Sequence, residues 1–251
     1  MVTLAHPYGR GVTSLPDAAR FALWFSAFVA GDASLDETRD AIVGTDAAHD
    51  VRNGSGDLEP LILALGRFRA AGAISAGVAL PVPGDPLGLA GPPAFNATAL
   101  EVEEAVLLPG LALGLLPSRV GSGVVWDAVP AETRRQVPDL SEVDTLLRHA
   151  VVAAAEALAA LDVARWRPEV ADKLMALRRP VDLRLPPGTS ERVIRVLGLA
   201  SRCRRVVQLA LADDGGAVSA YDADRRRDAL MPLDHAARRA VVAACSFPRE
   251  R

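Results

Sequence analysis

Alternating apolar positions mark the middle of the chain as β structure. From Ile74 to Leu80 every second residue is apolar, the period expected of a pleated strand. Three further β-like runs follow: Ala105–Leu108, Leu111–Leu116 and Val124–Val129. Because the connections between these runs are too short for helical crossovers, except around residues 96–104, we predict a sheet of three or four mostly antiparallel strands.

Helical spacing precedes the sheet. The first predicted helix covers residues 14–31, and from Phe21 onward it is apolar nearly all round, which indicates a buried helix. Ser34 and Glu37 are spaced as a capping box and begin a second, short helix. A third helix is predicted over residues 60–72, because proline suits a first helical turn.

After the sheet the pattern is almost entirely helical, apart from a possible β segment at Val181–Leu185. The predicted helices are 139–161, 168–178, 190–212, 219–227 and 232–246. The predicted class is therefore α+β, with N-terminal helices and a small, mostly antiparallel sheet over residues 1–135. A C-terminal helical bundle follows over residues 136–251, either docked on the first part or forming one compact domain with it.

The loop 81–96 interrupts the β pattern with five prolines and three glycines. One interpretation is a rigid connection that covers a sheet edge. The other is a ligand-facing loop, in which backbone N–H groups near Gly84, Gly88 and Gly91 approach a small molecule. In that second interpretation Asp85 or Asn96 supplies polar contacts.

Charge is distributed unevenly, although the formal net charge is only −3. Residues 1–162 carry 10 basic and 20 acidic side chains, a net charge of −10, whereas residues 163–251 carry 18 and 11, a net charge of +7. This asymmetry is compatible with an acidic partner or nucleic acid. It is equally compatible with two halves that dock and neutralise each other.

The sequence also bears on the compartment. No apolar run is long enough for a membrane span, and the N-terminus lacks the pattern of a signal peptide, so the expected compartment is the cytoplasm and no membrane partner is expected. Cys203 and Cys245 are far apart in predicted helices, which favours two small buried side chains over a disulfide. Lys173 is the only lysine, a bias towards arginine that is typical of high-GC bacterial genomes.

Common catalytic and cofactor motifs are missing. The sequence has no Walker loop, no G-x-G-x-x-G after a strand, no zinc-type spacing of histidine or cysteine, and no nucleophile elbow. We therefore predict no cofactor and no metal. Whether the protein is an enzyme stays open, because a site can be assembled from residues scattered along the chain.

Two arginines are candidates for an anion site. On the predicted helix 190–212, Arg204 projects into the apolar arc, where it needs a carboxylate, a carbonyl or a ligand anion as partner. A structural ion pair and an anion site are both compatible with this position. Arg119, near the end of a β-like run, is the second candidate.

Three functional hypotheses follow. The first is a soluble cytoplasmic binding or regulatory protein whose ligand is an unknown partner protein or a small ligand. The alternative is an enzyme or sensor for a small anionic metabolite, which uses the loop 81–96 with Arg119 or Arg204. The third, nucleic-acid binding through the basic C-terminal helices, is disfavoured because acidic residues are mixed among the arginines and the sequence pI is 5.8.

Overall fold

The computed structural model describes residues 15–133, 137–160, 183–212 and 220–246, which contain seven helices and six strands. The helices are α1 (Asp17–Ala30), α2 (Leu35–Val43), α3 (Leu61–Ala70), α4 (Pro93–Val102), α5 (Leu140–Ala160), α6 (Glu191–Ala212) and α7 (Ala220–Ser246). The strands are β1 (His49–Arg52), β2 (Leu58–Pro60), β3 (Gly77–Ala79), β4 (Ala105–Leu108), β5 (Leu113–Val120) and β6 (Gly123–Pro130).

The six strands form one mixed sheet in the order β2-β1-β6-β5-β4-β3. Four of the five neighbouring pairs are antiparallel, and β1 with β6 is the parallel pair. The predicted α+β class is confirmed, with N-terminal helices, a mostly antiparallel sheet and C-terminal helices. The sheet is larger than predicted because β1 and β2 were missed.

Short length explains why β1 and β2 escaped the sequence pattern. They have four and three residues, and in β1 only His49 and Val51 are buried. The turn between the two strands is held by the Asn53 side chain, whose Oδ1 accepts hydrogen bonds from the backbone N–H groups of Ser55 and Asp57, both at 3.0 Å. Val51 is the only apolar residue of β1, which is too few to establish a period of two.

The boundaries of two other elements differ from the prediction. Leu111 and Ala112 belong to a turn, in which Ala112 has a φ of 49°, so β5 begins later and runs further than the apolar run suggested. Helix α4 begins at Pro93, three residues before the region 96–104 that could hold a helical crossover, because proline is tolerated in the first helical turn. The irregular part of the predicted loop is therefore 81–92.

Helix α1 lies in the centre of the main core, as its apolar sequence predicted. Phe21 and Phe25 are fully buried, and Phe21 packs 5.1 Å from Trp126 of β6 between ring centroids. Phe25 meets Phe68 of α3 edge to face at 6.3 Å. The same hydrophobic cluster includes residues of α5, α6 and α7, so the sheet face and the C-terminal helices share it.

A smaller cluster covers part of the other sheet face. There α4 places Phe95 against β4 and β5. Gly114 of β5 makes this approach possible, since a Cβ at that position would lie 2.4 Å from the Phe95 ring.

The C-terminal helices match the prediction in part. Asp139 caps α5 by accepting the Ser141 and Glu142 N–H groups, and Ser190 caps α6. Helix α7 is continuous through Pro232, which is exposed, so the predicted segments 219–227 and 232–246, between which Pro232 either begins a new helix or kinks one, are a single helix. The predicted helix 168–178 lies outside the described residues. The described part of the predicted β segment, residues 183–185, is irregular.

Side chains from both ends of the chain form hydrogen bonds with the backbone groups along the outer edge of β3. Ser26 of α1 bonds to both backbone groups of Ala76, and the Ser246 hydroxyl accepts from the Val78 N–H at 3.4 Å. Arg238 of α7 donates to the Leu80 carbonyl at 2.8 Å. Edge strands expose unpaired backbone groups, so these contacts close an edge and join α7 to the sheet.

Within residues 15–133, 137–160, 183–212 and 220–246, no helix combines the length and the apolar character needed to cross a bilayer.

Candidate functional site

A group of charged side chains surrounds the N-terminal end of α1, and we call it the polar cluster. Its members come from α1, the loop after α2, β1, the α4–β4 connection, β5 and α6. They are Asp17, Arg20, Asp46, His49, Glu104, Arg119 and Arg204.

Two aspartates and two arginines form the neutral part of the polar cluster. Arg119 bonds to Asp17 at 2.5 Å and to Asp46 at 3.0 Å. Arg20 bonds to Asp17 and lies 3.8 Å from Asp46. Gly44 makes room for the Arg20 guanidinium, because a Cβ there would lie 2.4 Å from Nη1. The two negative and two positive charges balance, so this part stabilises the junction of α1 with β5.

His49 is held as a neutral imidazole. Its side chain is fully buried; Nε2 lies 2.8 Å from Asp46, and Nδ1 accepts the Trp126 indole N–H at 3.2 Å. Since Nδ1 accepts, the proton of the neutral ring is on Nε2 and is donated to Asp46. Burial lowers the pKa of His49, although Asp46 and Asp17 oppose the shift. Both nitrogens are occupied, so His49 is not available as a general base.

Glu104 is the member of the polar cluster with an unusual proton affinity. Its Oε2 accepts the Ala18 backbone N–H at 2.9 Å, in the first turn of α1. Burial, together with the negative charge of Asp17, raises the pKa of Glu104 to about 7, while the Ala18 hydrogen bond, Arg204 and Arg20 oppose the shift. Near neutral pH this carboxyl is therefore divided between its protonated and ionised forms.

Replacing Glu104 by glutamine is expected to remove a pH dependence of stability. The folded pKa lies above the ordinary value of 4.5, so Glu104 favours the folded state at low pH and this contribution disappears as the pH rises to about 7. Relative to the Gln variant, the wild type should lose up to about 3 kcal/mol of unfolding free energy between about pH 4.5 and pH 8. Urea unfolding of both proteins measures this difference, in which the titration of His49 cancels. A difference that stays constant with pH would contradict the prediction.

The side of α6 that carries Ser201, Arg204 and Arg205 we call the α6 flank. The spacing i, i+3, i+4 places all three on one side of the helix. Ser201 Oγ and the Nε atoms of Arg204 and Arg205 are buried and have no hydrogen-bond partner among the described residues. In the same ranges, no carboxylate lies within the 4.0 Å of an ion pair with Arg204. Arg204 is close enough to Glu104 to lower its pKa, which joins the α6 flank to the polar cluster.

The loop candidates lie elsewhere, against α7. Asp85 accepts from Arg238 at 3.2 Å and lies 2.9 Å from His235. Gly84 occupies a tight turn after Pro83, with a φ of 84°, which fits the third position of a type II turn. This geometry fits the interpretation of the loop as a rigid edge cover.

Gly88 and Asn96 are the other two predicted ligand-binding residues of the loop 81–96. Gly88 lies directly on β3, since its Cβ would approach the Val78 carbonyl oxygen at 2.8 Å. Asn96 lies in the first turn of α4, and its buried Oδ1 has no hydrogen-bond partner among the described residues. The structure thus brings Arg119 and Arg204 to the polar cluster and separates them from Asp85. Ligand binding by any of the six stays a prediction.

Sequence reasoning missed Asp46, His49, Glu104 and Arg238. The Asp17–Arg20 and Asp234–Arg238 pairs had a local signal, because residues three or four apart face each other on a helix. Asp46 and His49 are close in sequence but lie outside a helix, and contacts such as that of Ala18 with Glu104 join residues distant in sequence, so no helical spacing rule could reveal them.

Metal and thiol chemistry have little support from the described part of the chain. There, no group of three or more His, Cys, Asp or Glu side chains is arranged to hold a metal ion. Cys203 is buried, and burial raises its thiol pKa to about 11, so little of the nucleophilic thiolate is present at neutral pH.

Comparisons with known proteins place the chain in a family. Residues 18–143 match the N-terminal domain of the Rv1486c-like proteins, and residues 141–242 match the C-terminal domain. Two Mycobacterium tuberculosis proteins, the uncharacterized protein Rv1486c of strain H37Rv and the uncharacterized protein MT1533 of strain CDC 1551, are each 31% identical over 89% of this chain and 93% of their own length. No solved structure matches. The chain therefore belongs to the Rv1486c-like protein family.

Proposed function

We propose that this protein binds a small oxyanion on the α6 flank and performs no chemistry on it. The observation that carries the proposal is the set of three buried polar atoms without partners, contributed by Ser201, Arg204 and Arg205. An anionic ligand would supply the acceptors that these donors lack. The proposal specifies a ligand class for the binding-protein hypothesis. It uses Arg204, the anion contact suggested by the hypothesis of an enzyme or sensor.

Energetics support an anion at this position. A buried donor without a partner costs about 1–3 kcal/mol, and more when the group is charged. Arg204 lowers the pKa of Glu104, but burial and Asp17 outweigh it and raise that pKa to about 7. The positive charge of Arg204 is thus incompletely balanced, and guanidinium groups suit carboxylate and phosphate oxygens in particular.

Neither His49 nor Cys203 is activated as a base or nucleophile, which favours binding over catalysis at these two residues. Among the described residues considered as nucleophile or base, His49 has both nitrogens engaged and Cys203 has a raised pKa. The loop that an enzyme or sensor would use holds its carboxylate, Asp85, against Arg238 and His235. We also propose, as the sequence predicted, that the protein is cytoplasmic and that its two parts meet near residue 135.

Nucleic-acid binding has weaker support than oxyanion binding. The arginine run of α7 is interrupted, because Arg226 is buried and Arg227 pairs with Asp224 at 3.3 Å. Arg238 is directed into the protein and is 4% exposed. A continuous basic surface, as phosphate backbones require, is therefore not formed by these residues. A partner protein stays an alternative to the small ligand.

Thermal unfolding with added anions tests the proposal. Sulfate, phosphate and dicarboxylates should raise the melting temperature of the wild type, because a ligand at about 100 times its Kd adds about 2.7 kcal/mol to the unfolding free energy. Arg204→Met should lose most of this shift. Arg195→Met is the matched control, since Arg195 is on the exposed side of the same helix. Equal shifts in all three proteins would mean that the anions act elsewhere, and the absence of any shift in the wild type would overturn the proposal.

A further inference from the structure

We propose that His235 is a modification site that accepts a phosphoryl group on its Nδ1 atom from an activated phosphoryl donor. The site lies where α7 faces the loop 81–92. It uses none of the residues of the α6 flank, so it does not depend on the binding of an oxyanion there. Its basis is an exposed imidazole that contacts a carboxylate at one nitrogen only.

Asp85 fixes the position of the proton on the His235 ring. Its Oδ2 atom lies 2.9 Å from Nε2 of His235, and an ionised carboxylate can only accept, so the neutral ring carries its proton on Nε2. The His235 side chain is 49% exposed, and Nδ1 has no hydrogen bond to another described residue. The reactive lone pair is therefore on Nδ1, the nitrogen that is not engaged.

Asp85 is itself held in place by backbone and side-chain contacts. Val82 and Asp85 exchange two backbone hydrogen bonds, at 3.0 and 2.9 Å, which close a tight turn. Arg238, which is 4% exposed, donates to the same Oδ2 atom at 3.2 Å. Because His235 and Arg238 both belong to α7, the carboxylate and the ring are attached to one helix.

Arg239 provides a cation for the phosphoryl oxygens. It follows His235 by four residues on α7, so the two side chains lie on the same side of the helix. Its Nη1 atom is 4.0 Å from Oδ1 of Asp85, but Arg239 has no hydrogen bond to another described residue. Its N–H donors are thus available to a ligand, and guanidinium groups suit phosphate oxygens in particular.

The transfer balances in atoms and charge for phosphoramidate as donor. The Nδ1 lone pair of His235 forms a bond to phosphorus, the P–N bond breaks, and ammonia leaves with that electron pair. The ring keeps its Nε2 proton and becomes a phosphorylated imidazolium. Asp85 faces the positive charge that develops on the ring, and Arg239 faces the phosphoryl oxygens, so both stabilise the transition state.

Reaction with potassium phosphoramidate, followed by phosphorus NMR, tests the proposal. The chain has four histidines, and His49 is buried with both nitrogens engaged. Replacing His6 and His149 by glutamine leaves His235 as the histidine that can react. We expect this protein to gain one phosphoryl group on Nδ1 and none on Nε2.

His149 supplies the matched control. It is an exposed histidine of α5 without a hydrogen bond to another described residue, and it remains when His6 and His235 are replaced by glutamine instead. His235 should react about fivefold or more faster than His149. Asp85→Asn should slow the reaction of His235 about fivefold or more, and Arg239→Met about threefold or more.

Several results would overturn the proposal. They are phosphorylation of His235 on Nε2, a rate for His235 no higher than that for His149, and rates unchanged by Asp85→Asn or by Arg239→Met. Should Asp85→Asn not fold, the isomer formed on His235 and its rate relative to His149 decide the matter. Failure of sulfate or phosphate to bind the α6 flank would overturn the proposed function and leave this proposal intact.

Discussion

Replacing Arg238 by methionine is expected to cost about 3 kcal/mol or more of unfolding free energy. The Arg238 side chain is 4% exposed and has three partners, the Leu80 carbonyl and the carboxylates of Asp85 and Asp234. Its removal takes the guanidinium away from the Leu80 carbonyl and from two partly buried carboxylates, of which Asp85 keeps only His235 and the more distant Arg239, and methionine supplies only volume. Urea unfolding measures the loss.

Arg239→Met is the control for that substitution. Arg239 is the next residue of α7, but it is 35% exposed and lies 4.0 Å from Asp85, so its loss should cost less than about 1 kcal/mol. If Arg238→Met and Arg239→Met were equally stable, the inferred role of Arg238 in attaching the loop and the edge of β3 to α7 would be wrong.

Gly88→Ala is expected to destabilise the protein by about 2 kcal/mol more than Gly84→Ala. The two glycines have nearly equal positive φ angles, 86° and 84°, so alanine suffers the same backbone strain at both positions. The space around the two glycines differs. A Cβ at Gly88 would lie 2.8 Å from the Val78 carbonyl oxygen and 2.9 Å from the Ala79 Cα, whereas a Cβ at Gly84 would have no atom within 4 Å. Overpacking against backbone cannot be relieved by a rotamer change.

The comparison within this pair is what makes the measurement decisive. Both variants are compared with the wild type by urea unfolding, and the strain that they share cancels in the difference between them. Equal losses would show that strand β3 can move away from the loop, and that the loop does not cover the strand rigidly.

The apolar patterns located most elements because each reflects a local period. Strand β4 coincides with the predicted run Ala105–Leu108, and α1 is buried on all sides as its run of apolar residues indicated. The capping box of Ser34 and Glu37 is present with both reciprocal bonds. These features depend on residues within one turn or one strand, so they can be read without knowledge of the rest of the chain.

The polar cluster shows where the local patterns stop being informative. Glu104 is one of several carboxylates in the acidic half, and nothing in its neighbourhood distinguishes it from Glu101. Its raised pKa arises because α1, 86 residues earlier in the chain, brings Ala18 and Asp17 against it and buries it. For Arg204, the helical period predicted an inward position, but the choice between an ion pair and an anion site depends on which elements α6 meets.

By itself, the sequence determined the α+β class and the order of most helices and strands, because periodicity and caps act over a few residues. Tertiary structure alone decided that β1 lies parallel to β6, that Arg238 closes the edge of β3, and that Glu104 meets α1. Those outcomes depend on burial and on charges brought together from distant parts of the chain, and their energies exist only once the core has excluded water.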